Sequence, residues 1–169
     1  LATVQEVAAE AAQGEVCQAA NDNDPAQVVI SGTKAAVERA AEIAKARGAK
    51  RALLLPVSAP FHCALMQPAA EAMQAALAQT QIAAPVVPVV ANVVAQAVSD
   101  PEEIRKLLVA QVTGSVRWRE SVAWMLAQGA DTFLEVGAGK ALSGMIKRIA
   151  KETVQKNVGA PEGIAALKG

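Results

Sequence analysis

Apolar residues recur with helical spacing at the start of the chain, so residues 3–13 predict a short helix that Gly14 closes. The polar run Asn21-Asp-Asn-Asp-Pro25 is dense in turn formers and predicts a turn before a strand over Gln27 to Ser31, ended by Gly32. Thr33 is placed to cap a helix whose inner face carries Ala36, Val37, Ala40, Ile43 and Ala44. Gly48 stops that helix, and Arg51 to Val57 reads as another strand. Past a loop around residue 62, Pro68 suits the first turn of a helix with Ala69, Met73, Ala76 and Leu77 turned inward, and Pro85 ends it. Val86 to Val94 has the continuous apolar character of a strand buried on both faces, the habit of a parallel sheet.

The clearest helix start follows. Ser99 or Asp100 caps it, Pro101 and two glutamates occupy its first turn, and Ile104, Leu107, Leu108 and Val112 form its apolar stripe. A helix around Trp118, Val122 and Met125 ends at Gly129. Thr132 to Val136 is a strand, and Gly137-Ala-Gly139 turns into a helix bearing Leu142, Met145, Ile146 and Ile149. The alternation is that of an α/β fold with a parallel sheet. From about Val154 the periodicity weakens, so residues 154–169 read as a peripheral tail, and a shift of composition near Ser58 marks a domain boundary between 1–57 and 58–153.

Composition narrows the function classes. A length of 169 residues with 53% hydrophobic content suffices for a globular core, and sixteen basic residues balance sixteen acidic ones. No overall field therefore favours nucleic acid or an anionic membrane. No apolar run approaches the roughly 20 residues of a membrane span, and the opening Leu-Ala-Thr-Val-Gln-Glu has no signal-peptide pattern. Cys17 and Cys63 form neither a disulfide framework nor a zinc pattern, which fits a reducing, cytoplasmic setting with no metal. The chain does not open on Met, so it reads as processed or as lacking its beginning.

His62 is the only histidine, and it follows Pro60-Phe61 in a strand-to-helix loop, where catalytic groups are commonly displayed. Gln111 falls on the Ile104/Leu107/Leu108 stripe, which predicts a buried polar side chain in need of partners. Lys50 and Arg51 suit phosphate recognition or a solvated surface equally. The basic residues Lys147, Arg148 and Lys151 share a helix face that reads as solvated. Gly137-Ala-Gly139 lacks the third glycine of a dinucleotide fingerprint and reads as a tight turn. Cys63 has no second histidine to activate it, which argues against a nucleophilic role.

Three stretches, Asn21-Asp-Asn-Asp-Pro-Ala-Gln-Val-Val-Ile-Ser-Gly32, Ser58-Ala-Pro-Phe-His-Cys-Ala-Leu-Met66 and Leu134-Glu-Val-Gly-Ala-Gly-Lys140, resemble in order and spacing the bacterial malonyl-CoA:acyl-carrier-protein transacylases. The resemblance implies a ferredoxin-like small subdomain over 1–57, without its first strand, and the C-terminal part of an α/β-hydrolase-like acyltransferase domain over 58–153. It further implies malonyl transfer from coenzyme A to the acyl-carrier-protein thiol through an acyl-serine, with His62 as general base supported from the segment of Gln111. Lys50 and Arg51 would meet coenzyme A, while Asn21, Asn23 and Gln27 would lie near the pantetheine channel. Phe61 would crowd a branched acyl group. Malonyl-CoA and acyl carrier protein are then the partners, with coenzyme A thioester as substrate and no further cofactor. The family's Gly-His-Ser-x-Gly nucleophile elbow does not occur in this sequence, so the nucleophile is expected from a missing N-terminal portion. Ala138 stands where the family usually has proline. A polyketide-synthase acyltransferase domain and a non-catalytic module binding carrier protein or coenzyme A are the alternatives.

Overall fold

Helix α1 (Ala2–Ala12) and helix α2 (Lys34–Ala46) pack together through small side chains. Val7, Ala8, Ala11, Ala36 and Ala40 are buried with Cys17, and Ile30 and Ile43 close around them. Alanine at these contacts lets the two helix backbones come close, which replaces the bulk that an aromatic-poor sequence lacks. The Thr33 hydroxyl caps α2 as expected, accepting from the Ala36 amide. A computed structural model describes residues 1–166.

The polar run after α1 departs from the expected turn. Strand β1 (Cys17–Asp24) includes Asn21 to Asp24 and pairs antiparallel with strand β2 (Gln27–Gly32), so the turn shrinks to Pro25-Ala26. Tertiary context overrides the low strand propensity of Asn and Asp, because alternate residues of β1 face other elements. Ala20, Asp22 and Asp24 each retain 1% exposure. Helix α5 (Trp118–Ala127) and helix α6 (Ala141–Ile149) supply the partners. The Arg119 guanidinium grips Asp22 bidentately, Nε to Oδ1 at 3.1 Å and Nη2 to Oδ2 at 2.7 Å, and the Arg148 Nε donates to Asp24 Oδ2 at 2.9 Å. Arg148 is therefore not part of a free solvated face with Lys147 and Lys151. Backbone bonds reinforce the junction, since Asp22 N donates to Val116 O and Val116 N to Ala20 O, both at 2.8 Å.

Two apolar runs expected to be strands find less pairing than their composition suits. Residues 51–57 make no strand among the described residues, and Leu53, Leu54, Leu55 and Val57 stand 53–74% exposed. An extended segment needs a neighbour to satisfy its backbone, and no described strand lies beside it. Val86 and Val87 are likewise exposed, and only strand β3 (Val89–Ala91) of that run is ordered as strand, antiparallel to strand β4 (Gln96–Val98). Among the described residues, parallel strand pairing lies elsewhere. Strand β5 (Thr132–Val136) pairs in parallel with strand β6 (Val154–Val158), so the segment expected to begin a peripheral tail belongs to this sheet. Val122, Ile146 and Ala150 form the second core beside β5, with Trp118, Met125 and Phe133 packed on them. Among the described residues the architecture is thus mixed α/β, with three two-stranded sheets rather than one broad parallel sheet.

Helix α3 (Gln67–Ala78) packs on helix α4 (Pro101–Thr113). Ala70 is the buried residue of α3, whereas Ala69, Met73 and Ala76 point outward, a rotation of the expected face. Asp100 caps α4, accepting from Glu103 N at 2.8 Å, and Glu102 and Glu103 sit favourably at its positive end. A short helix α7 (Pro161–Ala166) follows β6.

Helix α6 is capped from the preceding strand. Lys140 at its N-cap provides no side-chain bond, and the Glu135 carboxylate instead accepts from the Ser143 hydroxyl at 2.5 Å, Ser143 N at 2.8 Å and Leu142 N at 3.1 Å. The Ser143 hydroxyl above all, then the backbone amides, hold the Glu135 carboxyl below its ordinary value. A depressed folded-state value contributes stability that is present above the unfolded value of about 4.3 and is lost as pH falls through the folded one.

Two outcomes are expected. Arg119→Ala leaves Asp22 buried without its partner and should cost on the order of 3 kcal/mol, while the paired change Asp22→Leu with Arg119→Met should recover most of that loss. Urea unfolding of both variants checks this, and a loss under about 0.5 kcal/mol for Arg119→Ala would refute it. For Glu135→Gln, the wild-type advantage in unfolding free energy should be constant near neutrality and shrink below about pH 4.3. A gap that does not change with pH would remove the carboxylate from the cap.

Candidate active site

His62 lies in the loop that leads from the exposed 51–57 run into a 3-10 turn over Ala64–Met66 and then α3. Its backbone is left-handed, with φ at 59°, an arrangement that costs a residue bearing Cβ about 1–2 kcal/mol and persists only where the surroundings impose it. Three neighbours impose it here. The Cys63 side chain is fully buried and its thiol donates to Pro60 O at 3.1 Å. The Met66 amide donates to Cys63 O, closing the 3-10 turn. The Ala64 amide donates to Gln18 Oε1 on β1 at 2.7 Å.

The imidazole is half-buried and faces α4. Its Nδ1 lies 3.0 Å from the backbone carbonyl of Gln111. A carbonyl only accepts, so Nδ1 carries a proton towards it, and in the neutral ring Nε2 would present the lone pair. The Gln111 side-chain amide, 3.4 Å from the same nitrogen, meets a donor there and instead donates to Gly114 O at 3.0 Å. Gln111 thus stands beside His62, as expected of its segment, and meets the ring through its main-chain carbonyl with its side chain alongside. The side chain secures the end of α4, where no intrahelical partner remains for the last carbonyls. Gly114 fits this close corner because a Cβ would come within 2.7 Å of Ala110 O and 2.8 Å of Val93 Cγ2.

In its neutral form, an imidazole held at Nδ1 in this way can take a proton at Nε2 from a hydroxyl or thiol within reach and return it to a leaving group. No cluster of three metal-ligating side chains exists among the described residues.

Residues 2–165 match the family described as acyl transferase domain. The chain belongs to this family. It is 47% identical over 98% of its length to the malonyl CoA-acyl carrier protein transacylase of Escherichia coli K12, of which it covers 53%, and 43% identical to that of Bacillus subtilis 168, over 90% of the chain and 48% of the relative. Among solved structures, the acyl-carrier-protein-S-malonyltransferase of Bartonella henselae superposes with a TM-score of 0.94 at 52% identity, over 98% of this chain and 53% of that one. A malonyl-transacylase solved with its type II PKS acyl-carrier protein superposes equally well at 42% identity, over 99% of this chain and 55% of that one. The chain spans about half the length of the relatives it matches.

Within this acyl transferase chain, the other expected site residues fall at different places. Phe61 is 46% exposed beside His62. Asn21 and Asn23 are half-buried on β1, on the side opposite Asp22 and Asp24, and Asn21 also bridges to Val116. Gln27 pairs with Asp24 at the far end of the hairpin, about 20 Å along β1 from Gln18 at a strand rise of roughly 3.3 Å per residue. It is therefore far from the His62 end. Lys50 and Arg51 are exposed and make no ion pair among the described residues. Gln18 and Gly114 were not singled out from sequence. Gln18 carries no local signal, since its contact spans 46 residues of chain, while Gly114 after a helix gave a signal only for a helix end.

Because the acceptor for His62 is a main-chain atom, Gln111→Leu should leave the imidazole bonded. The variant loses the bond to Gly114 O and should be destabilised by about 0.5–1.5 kcal/mol. Acyl-transfer kinetics of an enzyme carrying the chain should stay within a few fold of wild type, and a loss of two orders of magnitude would show that the side chain acts on His62 directly.

Proposed function

We propose that this chain is the histidine-bearing part of an enzyme that transfers malonyl groups from malonyl-CoA to the thiol of acyl carrier protein. The observation that carries the reading is the bond from His62 Nδ1 to the Gln111 carbonyl, which leaves Nε2 free as a base. In this reading a serine hydroxyl on polypeptide outside this sequence gives its proton to Nε2 and attacks the thioester carbonyl. The coenzyme A thiolate leaves with the proton from the imidazolium, giving an acyl-serine. Carrier-protein thiol then reverses the sequence, losing its proton to His62 as the acyl-serine bond breaks. Relatives named as malonyl transacylases, one of them solved with a carrier protein, support the choice of donor and acceptor.

The finer architecture follows the same reading. Residues 1–57 form a ferredoxin-like subdomain, supported by the order α1, β1, β2, α2, and residues 58–153, extended by β6, belong to an α/β-hydrolase-like domain, supported by the parallel β5–β6 pair with α6 between them. The exposed apolar runs at Leu53 to Val57 and Val86-Val87 are surfaces for the portion that brings the serine. Phe61 borders the acyl pocket, Asn21 and Asn23 face the pantetheine arm, and Gln27 lies towards its outer end. The exposed Lys50 and Arg51 have the chemistry to meet coenzyme A phosphates.

The test compares the 169-residue chain alone with the same chain joined behind the N-terminal half of the Escherichia coli relative. Malonyl transfer to carrier protein is followed in both. Transfer by the joined protein only, reduced at least a hundredfold by His62→Ala, is expected for a lost general base. A joined protein that transfers nothing, one that survives His62→Ala, or robust transfer by the chain alone overturns the reading.

A further inference from the structure

We infer that Gln18 is a positioning residue for His62, acting across 46 residues of chain through the Ala64 amide; the inference rests on His62 being the base of the proposed reaction. Ala64 opens the 3-10 turn, so its amide has no partner within that turn, and the only acceptor it meets among the described residues is Gln18 Oε1 at 2.7 Å. Two residues earlier His62 holds a positive φ of 59°, uncommon for a residue bearing Cβ and held here by its neighbours. Cys63 fixes the inner side of the loop by burial. Gln18 fixes the outer side, at an exposed position where a polar contact has no folding core to serve.

The strand that carries Gln18 also registers the other half of the pair. Ser115 Oγ and Val116 N both donate to Ala20 O, two residues along β1, and they follow directly on the Gln111–Gly114 corner whose carbonyl receives His62 Nδ1. A single strand thus sets the ring's backbone at Gln18 and the ring's acceptor at Ala20. A strand advances by roughly 3.3 Å per residue, so these two anchors lie within about 7 Å of each other along it. When the Gln18 contact is removed, the loop can relax towards an ordinary backbone conformation, carrying the imidazole away from the Gln111 carbonyl while both cores stay intact.

His62 is the only histidine in the sequence, so its ring nitrogens can be read without overlap in the 169-residue chain. With the ring in its neutral form, wild type should show nitrogen-15 shifts with the proton fixed on Nδ1. Gln18→Ala should move both ring nitrogens towards the averaged values of exchanging tautomers and speed hydrogen exchange at the Ala64 amide, with the thermal midpoint little changed. Gln18→Glu, whose carboxylate still accepts from Ala64 N, should restore the wild-type pattern. In the joined enzyme, Gln18→Ala should lower kcat roughly tenfold or more with KM for malonyl-CoA within about twofold. Unchanged ring shifts in Gln18→Ala, or failure of Gln18→Glu to restore them, overturns the inference. Survival of transfer after His62→Ala would instead overturn the proposed reaction, and the ring shifts would still decide the positioning.

Discussion

Two buried carboxylates on one strand govern how the molecule holds together. Asp22 and Asp24 project from the inner side of β1 into the ground between the two hydrophobic cores, and Arg119 and Arg148 reach them from different helices. Left alone, either carboxylate would be an uncompensated charge in a desolvated setting, so each arginine is obliged to its position. Such pairs add little net stability over apolar substitutes, but they discriminate sharply between the correct register and a slipped one. A slip of one residue along β1 would bring Asn21 and Asn23 inward and expose both acids. Register in turn decides where Gln18 and Ala20 fall, and with them the loop of His62 and the corner at Gln111.

The chemistry that results uses few side chains. His62 takes its orientation from a main-chain carbonyl, its strained backbone from a neighbouring buried thiol and a distant amide oxygen, and its surroundings from two segments joined only through β1. A main-chain acceptor is displaced less by rotamer changes than a carboxylate on a flexible stem. The cost is that its placement depends on the end of a helix, and Gly114 and the Gln111 amide are what hold that end.

Much of the local structure was legible. Thr33 and Asp100 marked helix starts because capping is a short-range effect, and Thr132 to Val136 stood out by composition and flanking glycine. The three motif stretches carried the family and drew attention to His62. What failed did so for one physical reason, that pattern reports suitability for burial and not the presence of a partner. Val86 to Val94 and Leu53 to Val57 have the character of paired strands, yet most of that length has no neighbour among the described residues. Asn21 to Asp24 have the character of a turn, yet arginines about a hundred residues away make a strand of them. The resemblance pointed to the Gln111 segment, but that the acceptor is its main-chain carbonyl was not legible, because a backbone carbonyl leaves no mark on residue identity.

The burial of Cys63 has a consequence for chemical selectivity. A thiol next to an imidazole is ordinarily a better acyl acceptor than a hydroxyl, and in a protein that handled thioesters it could intercept the acyl group and become trapped as a dead-end adduct. Cys63 has no exposed surface, and its hydrogen is engaged with Pro60 O, so neither an electrophile nor a base can approach it. The side chain that wedges the histidine loop in place is thereby excluded as a rival acceptor, and the same shielding makes it indifferent to alkylating reagents while the loop stays closed.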